Sequence, residues 1–206
     1  MVLLGATAYA QSPTAVIYQP EVGMKSVLTI KIAAKFDVQG QTINFETEQT
    51  NEETVTDVAE DGRVTVESVT TESSTSINGQ SQDEEPDGST SEYVYAANGA
   101  LVKASPADDD EVAPRIEQAM RVVLPTGPVA AGATYQHNFP GGGNLVKATF
   151  NGKIEAFEEK NGVPCVKITH SYKEVGTDEE MSVESTSWVE VADGSVVAQG
   201  FKLEGL

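Results

Sequence analysis

Strict alternation of apolar and polar residues is the feature that most limits what this chain can become. From Leu28 the even positions read Leu28, Ile30, Ile32, Ala34, Phe36 and Val38, while the odd ones include Thr29, Lys31, Lys35 and Asp37. Successive side chains of a strand leave on opposite faces, so this run is a long strand with one dry and one wet face. Ile43, Phe45, Val55 and Val58 belong to a returning strand whose middle, 46–53, is nearly all polar, and Val64 and Val66 open its next neighbour after Asp61-Gly62. Asp-Gly and Asn-Gly pairs accept the positive φ that tight hairpins require. Tyr93-Val94-Tyr95, Asn98-Gly99 and Leu101-Val102 make a further hairpin signal. Later strands are expected over 145–150, 154–157, 166–172, 181–191 and 196–203, with turns at Asn151-Gly152, Asn161-Gly162, Gly176 and Asp193-Gly194.

Two stretches break the period. Residues 70–91 are Ser, Thr, Asp, Glu and Gly with almost no apolar residue, which predicts a solvated strand end running into a loop around 83–88, after a bulge at the phase slip of Val69. Asp108-Asp109-Asp110 supplies an N-cap and negative charge at a helix start, and Val112, Ile116, Ala119, Met120 and Val123 follow at helical spacing. Leu124-Pro125-Thr126-Gly127-Pro128 ends that segment. The fold class is therefore mainly β, an antiparallel sandwich or a curved half-barrel sheet, with one covering helix near 109–123.

A faint internal repeat accompanies this pattern. The run from Tyr93 to Val102 aligns without gaps on that from Trp188 to Val197, Asp61-Gly62 is echoed by Asn161-Gly162, and Gly23 and Gly132 each open a unit. Residues 11–206 are thus expected to form a single β-rich domain of two similar units, about 23–104 and 132–206, joined by the helix. A four- or five-stranded sheet with one apolar face needs a cover, which favours one domain over two.

Composition bears on partners. With 32 Asp+Glu against 13 Lys+Arg the net charge is −19, which speaks against nucleic acid, since binding a polyphosphate takes a basic patch. Between residues 46 and 92 fourteen acids face one base, Arg63, so −13 of that charge sits in one stretch. No run of about 18 apolar residues suits a membrane span. The start, Val2-Leu3-Leu4-Gly5-Ala6 and then the small-x-small pattern Ala8-Tyr9-Ala10, reads as the remnant of a signal peptide over 1–10, cleaved before Gln11. Export to a periplasmic or extracellular location is expected.

Chemistry-bearing residues are few. Cys165 sits among Val163, Pro164, Val166 and Ile168, where a free thiol is a small hydrophobe, and its odd separation from His170 places the two on opposite strand faces. His170 shares a face with Val166, Ile168 and Tyr172 and reads as a packing residue, while His137 lies in Tyr135-Gln136-His137-Asn138-Phe139 without a metal-ligand spacing. Gly141-Gly142-Gly143 lacks the Lys-Ser/Thr of a phosphate cradle. Dense carboxylates make Asp83, Glu84, Glu85 and Asp87, with Asp108, Asp109 and Asp110, the calcium candidates, although neither run has EF-hand spacing. No catalytic residue and no cofactor is assigned.

At Leu124-Pro125-Thr126-Gly127-Pro128-Val129, followed by Gly132-Ala133-Thr134-Tyr135, the chain resembles a family of uncharacterised exported bacterial proteins, all-β with two similar halves. The element from Tyr18 to Gly23 resembles that family's opening motif. Tyr135 departs from the family's frequent Trp, and the family supplies no catalytic residues. At the level of fold alone, long exported strands under a helix resemble the half-barrels of periplasmic lipoprotein carriers. That resemblance implies an apolar cavity lined by Leu28, Ile30, Ile32, Phe36, Val166, Ile168 and Tyr172, faces which equally fill an ordinary core.

Three functional readings follow. The first is a non-enzymatic exported protein with a binding or structural role in the cell envelope, its partner an envelope protein or a small molecule. The second is a carrier of a hydrophobic ligand such as a lipid or acyl chain. The third is an envelope enzyme whose site is assembled from several strands.

Overall fold

A computed structural model describes residues 13–38, 41–84, 88, 90–105, 112–178 and 180–205. Among them the chain forms β1 (Lys25–Val38), β2 (Gln41–Val58), β3 (Val64–Ile77), β4 (Gln80–Glu84), β5 (Thr90–Tyr95), β6 (Leu101–Ser105), α1 (Val112–Met120), β7 (Thr134–Gly142), β8 (Leu145–Lys160), β9 (Val163–Glu174), β10 (Ser182–Glu190) and β11 (Val196–Glu204). The protein is mainly β, with two antiparallel sheets and one short helix. One sheet runs β1-β2-β3-β5-β6 with β4 paired to β3, and the other runs β11-β10-β9-β8-β7.

The chain divides into two compact units. The first comprises Gln19–Arg121 with Gly141–Leu145, and the second Val122–Pro140 and Val146–Leu206 with the segment ending at Tyr18. In the first, Val55, Val64, Val66, Tyr93, Tyr95 and Leu101 are buried together with Ala119 and Met120 of α1. In the second, Val16, Val122, Leu124, Ile154, Val166, Ile168 and Val189 form one cluster, with Tyr18, Val129, Tyr135 and Phe157 packed against it. Burying an aliphatic side chain of this size contributes about 1.5–3 kcal/mol, which is why the alternating positions fix the register.

The two meanders repeat one another pair by pair. Each opens on a glycine of positive φ, Gly23 at 85° and Gly132 at 86°. Gly23 N–H donates to Val55 O and Val55 N–H to Met24 O; likewise Gly132 N–H donates to Ile154 O and Ile154 N–H to Ala133 O. Just beyond, each strand carries one extra residue, Thr56 between Val55 and Asp57 and Glu155 between Ile154 and Ala156. The ladder Val55↔Val66↔Tyr93 then matches Ile154↔Ile168↔Ser187, and Val58↔Val64↔Tyr95 matches Phe157↔Val166↔Val189. A second bulge also recurs, between Val94 and Tyr95 and between Trp188 and Val189. Bulges bend and twist a strand locally, and nothing in sheet physics requires two sheets to place two of them at the same pairs. The units are one ladder used twice.

Several expectations need correcting. The gapless alignment is right from the turns onward, since Tyr95 pairs with Leu101 as Val189 pairs with Val196. Upstream it is out by one, because the second loop is one residue longer; Trp188 corresponds to Val94, which leaves it on the outer face while Tyr93 and Tyr95 are buried. The helix is Val112–Met120, within the expected 109–123, and residues 121–123 are not helical. Its buried side is Pro114, Gln118, Ala119 and Met120, whereas Val112 is exposed. The stretch from 70 is the end of β3, as expected, but it runs to Ile77 and turns through Asn78-Gly79, both of positive φ, into the unexpected strand β4. The extra residue there is Thr71, two positions beyond the expected bulge at Val69. Asn151-Gly152 is not a turn either, since β8 runs through it unbroken.

Candidate functional site

The expected cavity residues fall in two different units. Leu28, Ile30 and Ile32 are half-buried on β1 beside an exposed Val27, and Phe36 pairs with Ile43 through the backbone. Val166 and Ile168 are fully buried in the second core, with Tyr172 buried on the same strand. Asp83 and Glu84 end β4, while Glu85, Asp87, Asp108, Asp109 and Asp110 lie outside the described residues, as does the signal remnant over 1–10. Among the described residues no three His, Cys, Asp or Glu side chains converge as a metal site.

The inner face of the second sheet is aromatic. Phe150 stacks on His170 at 4.7 Å, Tyr135 and Phe139 flank Phe150 and Tyr172 at 5.9 Å each, and His137 sits edge-on to Phe139 at 4.7 Å. Gly152 makes the room for this: a Cβ there would lie 2.3 Å from Tyr135 Cζ, and the Tyr135 hydroxyl donates to Val123 O at 2.8 Å. Burial holds the His170 imidazole down at about 4 and lowers that of His137, so both rings are neutral at pH 7. Burial raises the Cys165 thiol, the reverse of what a nucleophile needs.

The outer face of the same sheet carries polar side chains at alternate positions. An open groove of about 620 Å³ lies there, lined by Thr134 and Gln136 of β7, Asn151 and Lys153 of β8, Thr169 and Ser171 of β9 and Glu184 of β10, with Tyr135, Gly152 and His170 beneath them. The ladder sets these side chains in two rows: Ser171↔Glu184 continues Asn151↔Ser171, and Thr169↔Thr186 continues Lys153↔Thr169. Gln136 Nε2 donates to Asn151 Oδ1 at 3.2 Å, which ties β7 into the first row. Lys153 Nζ donates to Glu155 Oε2 at 2.9 Å, and Thr169 Oγ1 donates to Glu155 Oε1 at 2.8 Å. These two bonds hold the Glu155 carboxyl below the usual range. Glu155 is the extra residue of the bulge, so the ladder irregularity presents it beside the groove. One pair further along, Trp188 donates from its ring N–H to Glu158 Oε1 at 2.6 Å, with Lys160 Nζ 4.2 Å and Lys167 Nζ 5.2 Å from the ring centre.

Sequence reasoning missed this face. Its signal was present as the polar half of the alternation, Thr134-x-Gln136, Asn151-x-Lys153 and Thr169-x-Ser171. Reading Asn151-Gly152 as a turn broke the row that carries it. No protein-family model, curated protein or solved structure matches the chain.

Proposed function

We propose that this chain is an exported, non-enzymatic binding protein of the bacterial cell envelope, and that it binds through the outer face of its second sheet. The observation that carries the reading is the groove of about 620 Å³ on four neighbouring strands, whose ten lining residues include seven polar side chains of the outer face. Its volume lies in the range of small-ligand sites, and strands hold their side chains more firmly than loops do. Export is supported by the small-residue pattern Ala8-Tyr9-Ala10 and by the family resemblance at Leu124-Pro125. Titrating the isotope-labelled protein with soluble envelope extract tests the surface. Amide shifts concentrated at Gln136, Asn151, Lys153 and Thr169 are expected, and shifts confined to the first unit would overturn it. A hydrolase activity abolished by substituting His137 or His170 would remove the non-enzymatic part.

A second reading has one observation in its favour. Leu28, Ile30 and Ile32, on one face of β1, are only half-buried, an apolar row that an acyl chain would cover. Mass spectrometry of solvent-extracted protein decides: stoichiometric lipid would favour the hydrophobic-carrier reading over the groove.

A further inference from the structure

We propose that the groove takes a neutral, hydroxyl-rich chain, an oligosaccharide, laid across β7, β8, β9 and β10; this rests on the reading of that face as the binding surface. The molecule contains its own comparison. Counting along the matched ladders from Met24/Val55 and Ala133/Ile154, the positions of Asn151, Ser171 and Glu184 are occupied in the first unit by Glu52, Val69 and Thr90. Those of Lys153, Thr169 and Thr186 are occupied by Thr54, Glu67 and Glu92. One scaffold thus presents the same face twice. In the first unit those six positions carry three carboxylates and no base, while in the second they carry one amide, three hydroxyls, Lys153 and Glu184.

The chemistry of the second face fits a polyol. Gln136 and Asn151 each hold two donors and a two-lone-pair acceptor, of which their mutual bond uses one apiece, and each Thr or Ser hydroxyl both donates and accepts. A sugar hydroxyl has the same dual character. Lys153 is paired with Glu155 at the wall, so the groove adds the single charge of Glu184 to a molecule of net charge −19. A polyanion would meet that field, and a polycation would find one carboxylate here against three at the matched positions of the first unit. Four strands at about 4.8 Å spacing give a trough about 14 Å long, the span of a short oligosaccharide. The Lys153–Glu155–Thr169 chain of hydrogen bonds fixes one wall before anything binds, which lowers the ordering cost of binding.

Trp188 reports on the site. It is the one tryptophan of the sequence and lies one pair beyond Thr186 on the same face. The probes are cellohexaose, chitohexaose and maltohexaose, with a heparin oligosaccharide and spermine as charged controls. Saturable Trp188 fluorescence change with at least one neutral probe is expected, at a Kd of about 0.01–1 mM, with amide shifts at Asn151 and Thr169. Asn151→Ala with Thr169→Val should weaken it at least tenfold at an unchanged melting temperature, whereas Glu52→Ala with Glu67→Ala, at the matched places of the first unit, should leave it intact. No response to any neutral probe at about 10 mM overturns the proposal. Groove shifts with a charged probe alone would keep the binding surface and refute the ligand class; groove silence toward every probe and toward envelope extract would remove both.

Discussion

His170 shows how much a single side chain can be made to carry. Its ring is 3% exposed, stacked on Phe150, and neither nitrogen has a hydrogen-bond partner among the described residues. Charging it there means placing an imidazolium among aromatic rings, so its pKa is about 4 in the folded chain against 6.5 in the unfolded one. Between those values the unfolded chain binds a proton that the folded one does not, and stability falls as pH drops from about 7 to about 4, by up to about 3 kcal/mol. Urea midpoints of the wild type and His170→Phe at pH 7 and pH 5 should show a steeper acid loss in the wild type; equal slopes would mean the ring is not desolvated. Gly152, the pair partner of His170, is as restrictive for a steric reason. Gly152→Ala drives a methyl group into the Tyr135 ring and should cost about 1–3 kcal/mol, read as a lowered urea midpoint.

Elements are tied together by a few polar anchors. Arg121, just past α1, donates to Glu53 of β2 at 2.8 Å, to Tyr95 Oη at 2.6 Å and to Glu117, and its guanidinium lies 4.2 Å above the Tyr95 ring. The carboxylate side chains are 11% and 13% exposed, so the cation holds two largely desolvated anions. Arg121→Ala should destabilise the first unit by about 2–4 kcal/mol in thermal unfolding, and adding Glu53→Gln and Glu117→Gln should recover part of it. No recovery would mean that the loss is packing under the arginine stem rather than unpaired charge. Alternation exposed β1, β9 and β10 because each buries one face, and Asn98-Gly99 and Asn161-Gly162 fixed two hairpins. It was blind to β4, whose sequence Gln80-Ser81-Gln82-Asp83-Glu84 holds no apolar residue to alternate, and Asn78-Gly79 was the usable signal. It also mistook Gly152, a gap left for an aromatic ring, for a turn. The matched bulges at Thr56 and Glu155 leave no trace in hydrophobicity, so the duplication was visible only as shared turns and with the wrong phase at Trp188.

At the scale of the whole chain, one ladder has been given two surfaces. Residues 46–92 hold fourteen acids against Arg63, and the register stacks like charges, with Glu67 opposite Glu92 and Glu52 on the same face of β2. Like charges directly opposite on a sheet destabilise it, and in an exposed sheet their repulsion is screened by salt. The second unit is milder and buries its own cluster around Ile154, Val166 and Ile168. Each unit having its own core, unfolding should depart from a two-state transition. Lengthening the Debye length from about 8 Å at 0.15 M salt to about 30 Å at 0.01 M should lower the transition of the first unit and leave that of the second nearly in place. Calorimetry at the two ionic strengths, with hydrogen exchange at β2 and β9 to assign the transitions, measures this directly. A uniform shift of a single transition would show that the acidic face is held as strongly as the neutral one. The contrast between the two outer faces would then be one of ligand chemistry alone, with no cost in stability attached to it.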